Sequence, residues 1–162
     1  MAKSNIGAEF DLLYLLDGNG WSTCIVSLDH ALYSIGPTHI PDNPLQALLD
    51  GFTRMLDGDS TSDILWWDEP GRFEWHIERN PEQHDEVAVS ISNCVMLDAP
   101  KHGRLRDLKF EVQLQAICTI ILHQARKLSD LMKMEDFAKT RRDFPHAALH
   151  AFEKAYWSRY KH

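Results

Sequence analysis

Alternation of apolar and polar side chains dominates the first two-thirds of the chain, and a three-and-four spacing takes over at the end. Residues 8–17 read as a strand with Phe10, Leu12, Tyr14 and Leu16 on one face. Gly18-Asn19-Gly20 supplies residues suited to positive φ, the mark of a tight hairpin. Residues 21–28 form the return strand, Asp29-His30 a second turn, and Leu32 to His39 a third strand. The expected product is a three-stranded meander.

Pro41-Asp42-Asn43-Pro44 then announces a helix. Asp42 or Asn43 can cap it, and Pro44 sits where a missing N–H costs nothing. Leu45, Leu48, Leu49, Phe52, Met55 and Leu56 recur at helical spacing, and Gly58 supplies the stop.

Strands resume at Asp63 to Trp67, followed by the turn Asp68-Glu69-Pro70-Gly71. Phe73, Trp75 and Ile77 alternate with Arg72, Glu74, His76 and Glu78, which implies one face on the core and one in water. Val87, Val89 and Ile91 alternate in the same way after Asn80-Pro81-Glu82. Residues 98–103 break the pattern. From about Leu108 to Met134 the spacing is helical, with Phe110, Leu114, Ile117, Ile121, Ala125, Leu128 and Leu131 in one stripe. A last helix starts near Asp143-Phe144-Pro145 and runs to about Tyr160.

The predicted fold is therefore α+β in a single domain, residues 1–162. An antiparallel sheet of about six strands (β-β-β-α-β-β-β) precedes two or three C-terminal helices. A chain of this length buries about 70% of its unfolded surface, so its core needs neither metal nor disulfide. Cys24, Cys94 and Cys118 lie in apolar runs at no regular spacing and read as small hydrophobes in a reducing compartment. The N-terminus lacks the apolar stretch of a signal peptide, and no window is long enough to span a membrane. A cytoplasmic protein is expected, with no membrane partner.

Charge is unevenly spread. Residues 1–103 carry 17 Asp and Glu against 5 Lys and Arg, while residues 104–162 carry 7 against 12. A segment at net −12 thus precedes one at net +5, within a chain at −7. The acidic total argues against a nucleic-acid partner, because that affinity depends on a basic surface.

Catalytic motifs are missing: no GxGxxG, GxxxxGK[ST], GxSxG or CxxC occurs. His146 and His150 stand at i and i+4 and share a helix face, a zinc-compatible spacing, but the residues between them include no glutamate base. With His123 as a third ligand they define the alternative reading, a metal-dependent hydrolase. His76, between Glu74 and Glu78, has the flanks of a raised-pKa base but no evident nucleophile or oxyanion donor beside it. No cofactor is expected.

The acidic run carries more. Asp57, Asp59, Asp63, Asp68 and Glu69 fall within thirteen residues free of Lys and Arg, and Glu82, Asp85 and Glu86 follow. Carboxylates beside Trp66-Trp67 suit a basic protein partner, with Trp67 as an anchor, since complementary fields speed encounter and Trp is a frequent hot spot.

The stretch Trp66-Trp67-Asp68-Glu69-Pro70-Gly71-Arg72-Phe73-Glu74-Trp75, together with Asn19-Gly20-Trp21-Ser22, resembles a pattern in small uncharacterised bacterial proteins. Proteins of that build resemble the immunity proteins of bacterial toxin systems, including contact-dependent inhibition. The resemblance implies a small acidic cytoplasmic domain that neutralises a cognate toxin, often a basic nuclease. It implies no catalytic residue. The expected function is thus non-catalytic protein binding through the acidic loops, compatible with a homodimer.

Overall fold

The computed structural model describes residues 9–68, 71–94, 107–141 and 144–161. Its elements run β1 (Phe10–Gly18), β2 (Trp21–Leu28), β3 (Ala31–Ile35), α1 (Pro44–Asp57), β4 (Thr61–Asp68), β5 (Gly71–Arg79), β6 (Glu86–Cys94) and β7 (Leu108–Gln113). Three helices follow: α2 (Leu114–Leu131), α3 (Glu135–Ala138) and α4 (His146–Tyr160). The class is α+β, as expected. The strands, however, form two antiparallel sheets, β1-β2-β3 and β4-β5-β6-β7, and not one sheet of six.

The added strand is β7. Residues 108–113 were expected to open the long helix, yet they pair with β6, Val112 opposite Val87 and Phe110 opposite Val89. Leu108, Phe110 and Val112 are buried while Lys109, Glu111 and Gln113 are exposed, the period of a strand. Phe110 also stands four residues before Leu114, so it satisfies both periods. No turn residue separates strand from helix: α2 begins at Leu114 directly after an extended Gln113 that makes no side-chain cap.

β3 stops at Ile35, short of the expected His39. Gly36-Pro37 follows, and Pro has no N–H to give to a ladder. Thr38 returns as an isolated bridge to Trp21, and its N–H donates to the Trp67 carbonyl at 2.7 Å. That bond ties the two sheets together. The expected break at 98–103, the Asp143 cap and the Glu69-Pro70 half of the β4–β5 turn lie outside the described residues.

α1 forms as its signals dictate. The Asn43 side chain accepts from the N–H groups of Leu45 (3.0 Å) and Gln46 (3.1 Å), and Gly58 closes the helix at φ 112°. The helix lies against β4 so closely that Gly51 is the contact residue: a Cβ there would stand 2.4 Å from Ile64 Cγ1. Ser62 Oγ donates to the Gly51 carbonyl at 2.8 Å, and Trp66 Nε1 to the Pro44 carbonyl at 2.8 Å. The buried Ser62 hydroxyl and Trp66 indole N–H at this seam are thus both paired.

Both sheets and helices α1, α2 and α4 contribute to one hydrophobic core. Trp66 sits in it edge-on to Trp75 (5.0 Å) and Tyr14 (6.0 Å), and Phe10 stacks on Phe110 at 5.0 Å across the two sheets. The outer edge of β1 is closed by side chains. Gln124 Oε1 accepts from the Tyr14 N–H, Lys127 Nζ donates to the Tyr14 carbonyl, and Arg141 Nε donates to the Leu16 carbonyl. Cys24 and Cys118 are buried and Cys94 is half-buried, all three as free thiols. No helix among the described residues is long and apolar enough to cross a membrane.

Candidate partner-binding surfaces

The acidic residues expected to meet a partner, in the loops 57–69 and 82–86, run from the end of α1 along the four-stranded sheet. β4 is eight residues long, a span of about 25 Å at strand rise. Asp57 and Asp59 lie exposed at its start, and Trp67 and Asp68 at its end. Glu82, Asp85 and Glu86 come to the Asp59 end, because Arg79 N–H donates to the Ser60 carbonyl and Asn80 N–H to that of Glu86. Glu69 lies outside the described residues.

Arg79 organises that end: its guanidinium donates to the carbonyls of Met55, Asp59 and His84. Two of the carboxylates there are engaged within the chain. Asp85 accepts from the Tyr160 hydroxyl at 2.7 Å and faces Arg159 at 3.6 Å, and Glu86 accepts from Asn80 at 3.3 Å. Asp57, Asp59 and Glu82 are exposed.

Trp67 behaves as strand alternation requires. Trp66 is fully buried, and Trp67 points to the other face, half-covered, with an indole N–H that is buried and has no acceptor among the described residues. Partial burial also pushes the Asp68 carboxyl above the ordinary carboxylate range. Asp63 stands on the same outer face, where its Oδ1 meets His76 Nδ1 at 2.6 Å.

That face carries a row absent from the sequence reading. Asp63, His76, Ser90 and Lys109 are register partners on β4, β5, β6 and β7. Aspartate, histidine and serine thus come side by side, but no hydrogen bond joins His76 to Ser90 among those present. β5 and β6 are paired on both sides, so their backbone N–H groups are held in the ladder and offer no oxyanion hole. His123, His146 and His150 are exposed, and no group of three His, Cys, Asp or Glu forms a metal-ligand set among the described residues.

The outer face of β1-β2-β3 is of another kind. Leu13 is opposite Ile25, Leu15 opposite Thr23, and Leu32 opposite Ser27. Leu13 is 39%, Leu15 37% and Leu32 73% exposed, with Ile25 half-buried between them. Trp21, 50% exposed, stands at the end of the same sheet. The rim is acidic: Asp11 and Asp17 project from β1 on this face, and Glu9 and Asp29 lie at its end. No Lys or Arg occurs from residue 4 to residue 53. An apolar centre inside a charged rim is the usual anatomy of a protein interface.

Sequence reasoning placed the inward residues of β1 correctly and passed over what that assignment leaves outside. The signal was Leu13 and Leu15, which make the run Leu12-Leu13-Tyr14-Leu15-Leu16 apolar on both faces. No protein-family model matches the chain, and neither a curated protein nor a solved structure matches it.

Proposed function

We propose that this chain is a non-catalytic protein-binding domain, an immunity protein that covers a basic toxin domain with the outer face of β1-β2-β3. The observation that carries the reading is the uncovered apolar face, Leu13, Leu15, Ile25 and Leu32, rimmed by the carboxylates of Glu9, Asp11, Asp17 and Asp29, while the cations at its β1 edge, Lys127 and Arg141, are engaged with backbone carbonyls. Charge complementarity selects the occupant. A second copy would set one acidic rim against another, and an anionic membrane would be repelled. A protein with an apolar ridge flanked by Lys and Arg fits. The exposed acids Asp57, Asp59 and Glu82 lie in α1 and the loops at one end of the other sheet and contribute to the field that steers such a partner, with no direct contact needed.

The test is co-expression with the product of the neighbouring reading frame, which this proposal expects to be toxin-like. A retained partner, lost on L13K/L32K and kept on D57K/D59K, is the expected result. Both pairs of substitutions fall on exposed positions, so folding is checked by unchanged circular dichroism. If no partner is retained and deletion of the gene leaves toxin resistance intact, the immunity reading is wrong. If D57K/D59K releases the partner and L13K/L32K does not, the surface is wrong and the acidic end of the four-stranded sheet is the interface.

A further inference from the structure

A cleft of about 500 Å³ opens where the β1–β2 turn and the connection after β3 meet Lys139, Thr140, Arg141 and Phe144. Backbone bonds fix all three walls. Asn19 N–H donates to the Thr140 carbonyl at 2.9 Å, His39 N–H to the Gly20 carbonyl at 2.9 Å, and Ser22 N–H to the Pro37 carbonyl at 3.1 Å. The turn itself takes three successive positive φ values, at Gly18, Asn19 and Gly20. Glycine is needed at the first, where Thr140 Oγ1 would also lie 3.0 Å from a Cβ.

The lining departs from the charge of the rest of the chain. None of the described lining residues is acidic, while Lys139 and Arg141 both belong to it, beside His39, Thr140, Asn19 and Trp21. Arg141 is held rigidly: Nε donates to Leu16 O at 2.7 Å, Nη1 to Phe137 O at 3.0 Å, and the guanidinium lies 4.2 Å over the Phe137 ring. Nη2 has no partner among the described residues. The Lys139 ammonium has no hydrogen bond or ion pair at all among the described residues. His39 is oriented by a 2.5 Å contact between its Nε2 and Ser22 Oγ. Two fixed or unpaired cations thus face one cavity in a protein at net −7.

The geometry points to a binding site for a small phosphorylated molecule that carries a flat ring, of the mononucleotide class. The volume is that of a one-ligand pocket. Lys139 and Nη2 of Arg141 supply charge-assisted donors for the phosphoryl oxygens. The exposed indole of Trp21 supplies the stacking surface for the ring. Phe144, buried at the cleft, makes its inner wall apolar. The site adjoins the apolar face of the small sheet at Trp21 and does not depend on a toxin partner.

Adenosine monophosphate is the probe, titrated by calorimetry into the full chain at fixed low salt. Saturation of one class of site is expected, with adenosine and inorganic phosphate each weaker by about tenfold or more. K139E, which breaks no side-chain bond among the described residues, weakens the nucleotide by at least about tenfold, and W21A weakens it while leaving phosphate unchanged. Three results overturn the proposal: no saturation at millimolar nucleotide, equal affinity in K139E, or inorganic phosphate binding as tightly as the nucleotide.

Discussion

Replacing Gly51 by alanine sets two opposed effects against each other. In a free helix the change is favourable by about 1 kcal/mol, because glycine is the more flexible residue. Here the added Cβ arrives 2.4 Å from Ile64 Cγ1 and 2.6 Å from its Cδ1, where carbon atoms need about 3.5 Å or more. Helix α1 or strand β4 has to move by about an ångström, and overpacking of that size costs about 1–3 kcal/mol. The movement also stretches the 2.8 Å bond from Ser62 Oγ to the Gly51 carbonyl. Both groups are buried, so its loss adds about 1 kcal/mol or more. The sum puts G51A about 2 kcal/mol below the parent, read as the free energy of urea unfolding. In an I64A background the clash is gone, and the same substitution turns neutral or stabilising, a coupling of about 1–3 kcal/mol. A G51A protein as stable as the parent would refute the close packing of α1 on β4.

Two further outcomes follow from the titratable groups. The Asp68 carboxyl is raised by burial, so the folded state holds a proton at pH values where the unfolded state has lost it. Stability from this group therefore falls as pH rises through that interval, and above it the ionised carboxylate is a constant penalty. D68N is more stable than the parent at pH 7, with the difference gone by about pH 3; a gap of the same size at both, in urea titrations, contradicts the assignment. Burial pushes the thiols of Cys24 and Cys118 far above the ordinary range, and half-buried Cys94 is raised more modestly. A thiol-reactive chromophore should label one cysteine slowly in the native protein and all three in denaturant, and rapid native labelling of more than one would contradict the packing.

What the sequence made legible was local. The α1 caps at Asn43 and Gly58, the Gly18–Gly20 turn and the inward Phe73, Trp75 and Ile77 were readable because each depends on neighbours a few residues away. β7 was not, since Phe110 fits a helical stripe as well as a strand and Gln113 gives no capping signal. Nor was the split into two sheets, which depends on which strands meet across the core. The acidic run illustrates the same limit for function. Asp57 closes α1 and Trp67 lies near the far end of β4, so the extended strand between them separates residues close in sequence. Asp63, His76 and Ser90 come together only through register, and the apolar face of the small sheet needs three strands in place before Leu13, Ile25 and Leu32 share a surface.

The closed edge of β1 bears on how the chain is made. Its Tyr14 and Leu16 backbone groups are satisfied by Gln124, Lys127 and Arg141, residues 110, 113 and 125 positions further on. During synthesis β1 and its hairpin partner leave the ribosome long before those side chains exist. Until α2 and the segment after it emerge, the nascent protein carries an open strand edge beside an apolar sheet face. Premature termination anywhere before residue 124 leaves that edge exposed for good, so truncated products should aggregate by strand addition while the complete chain does not.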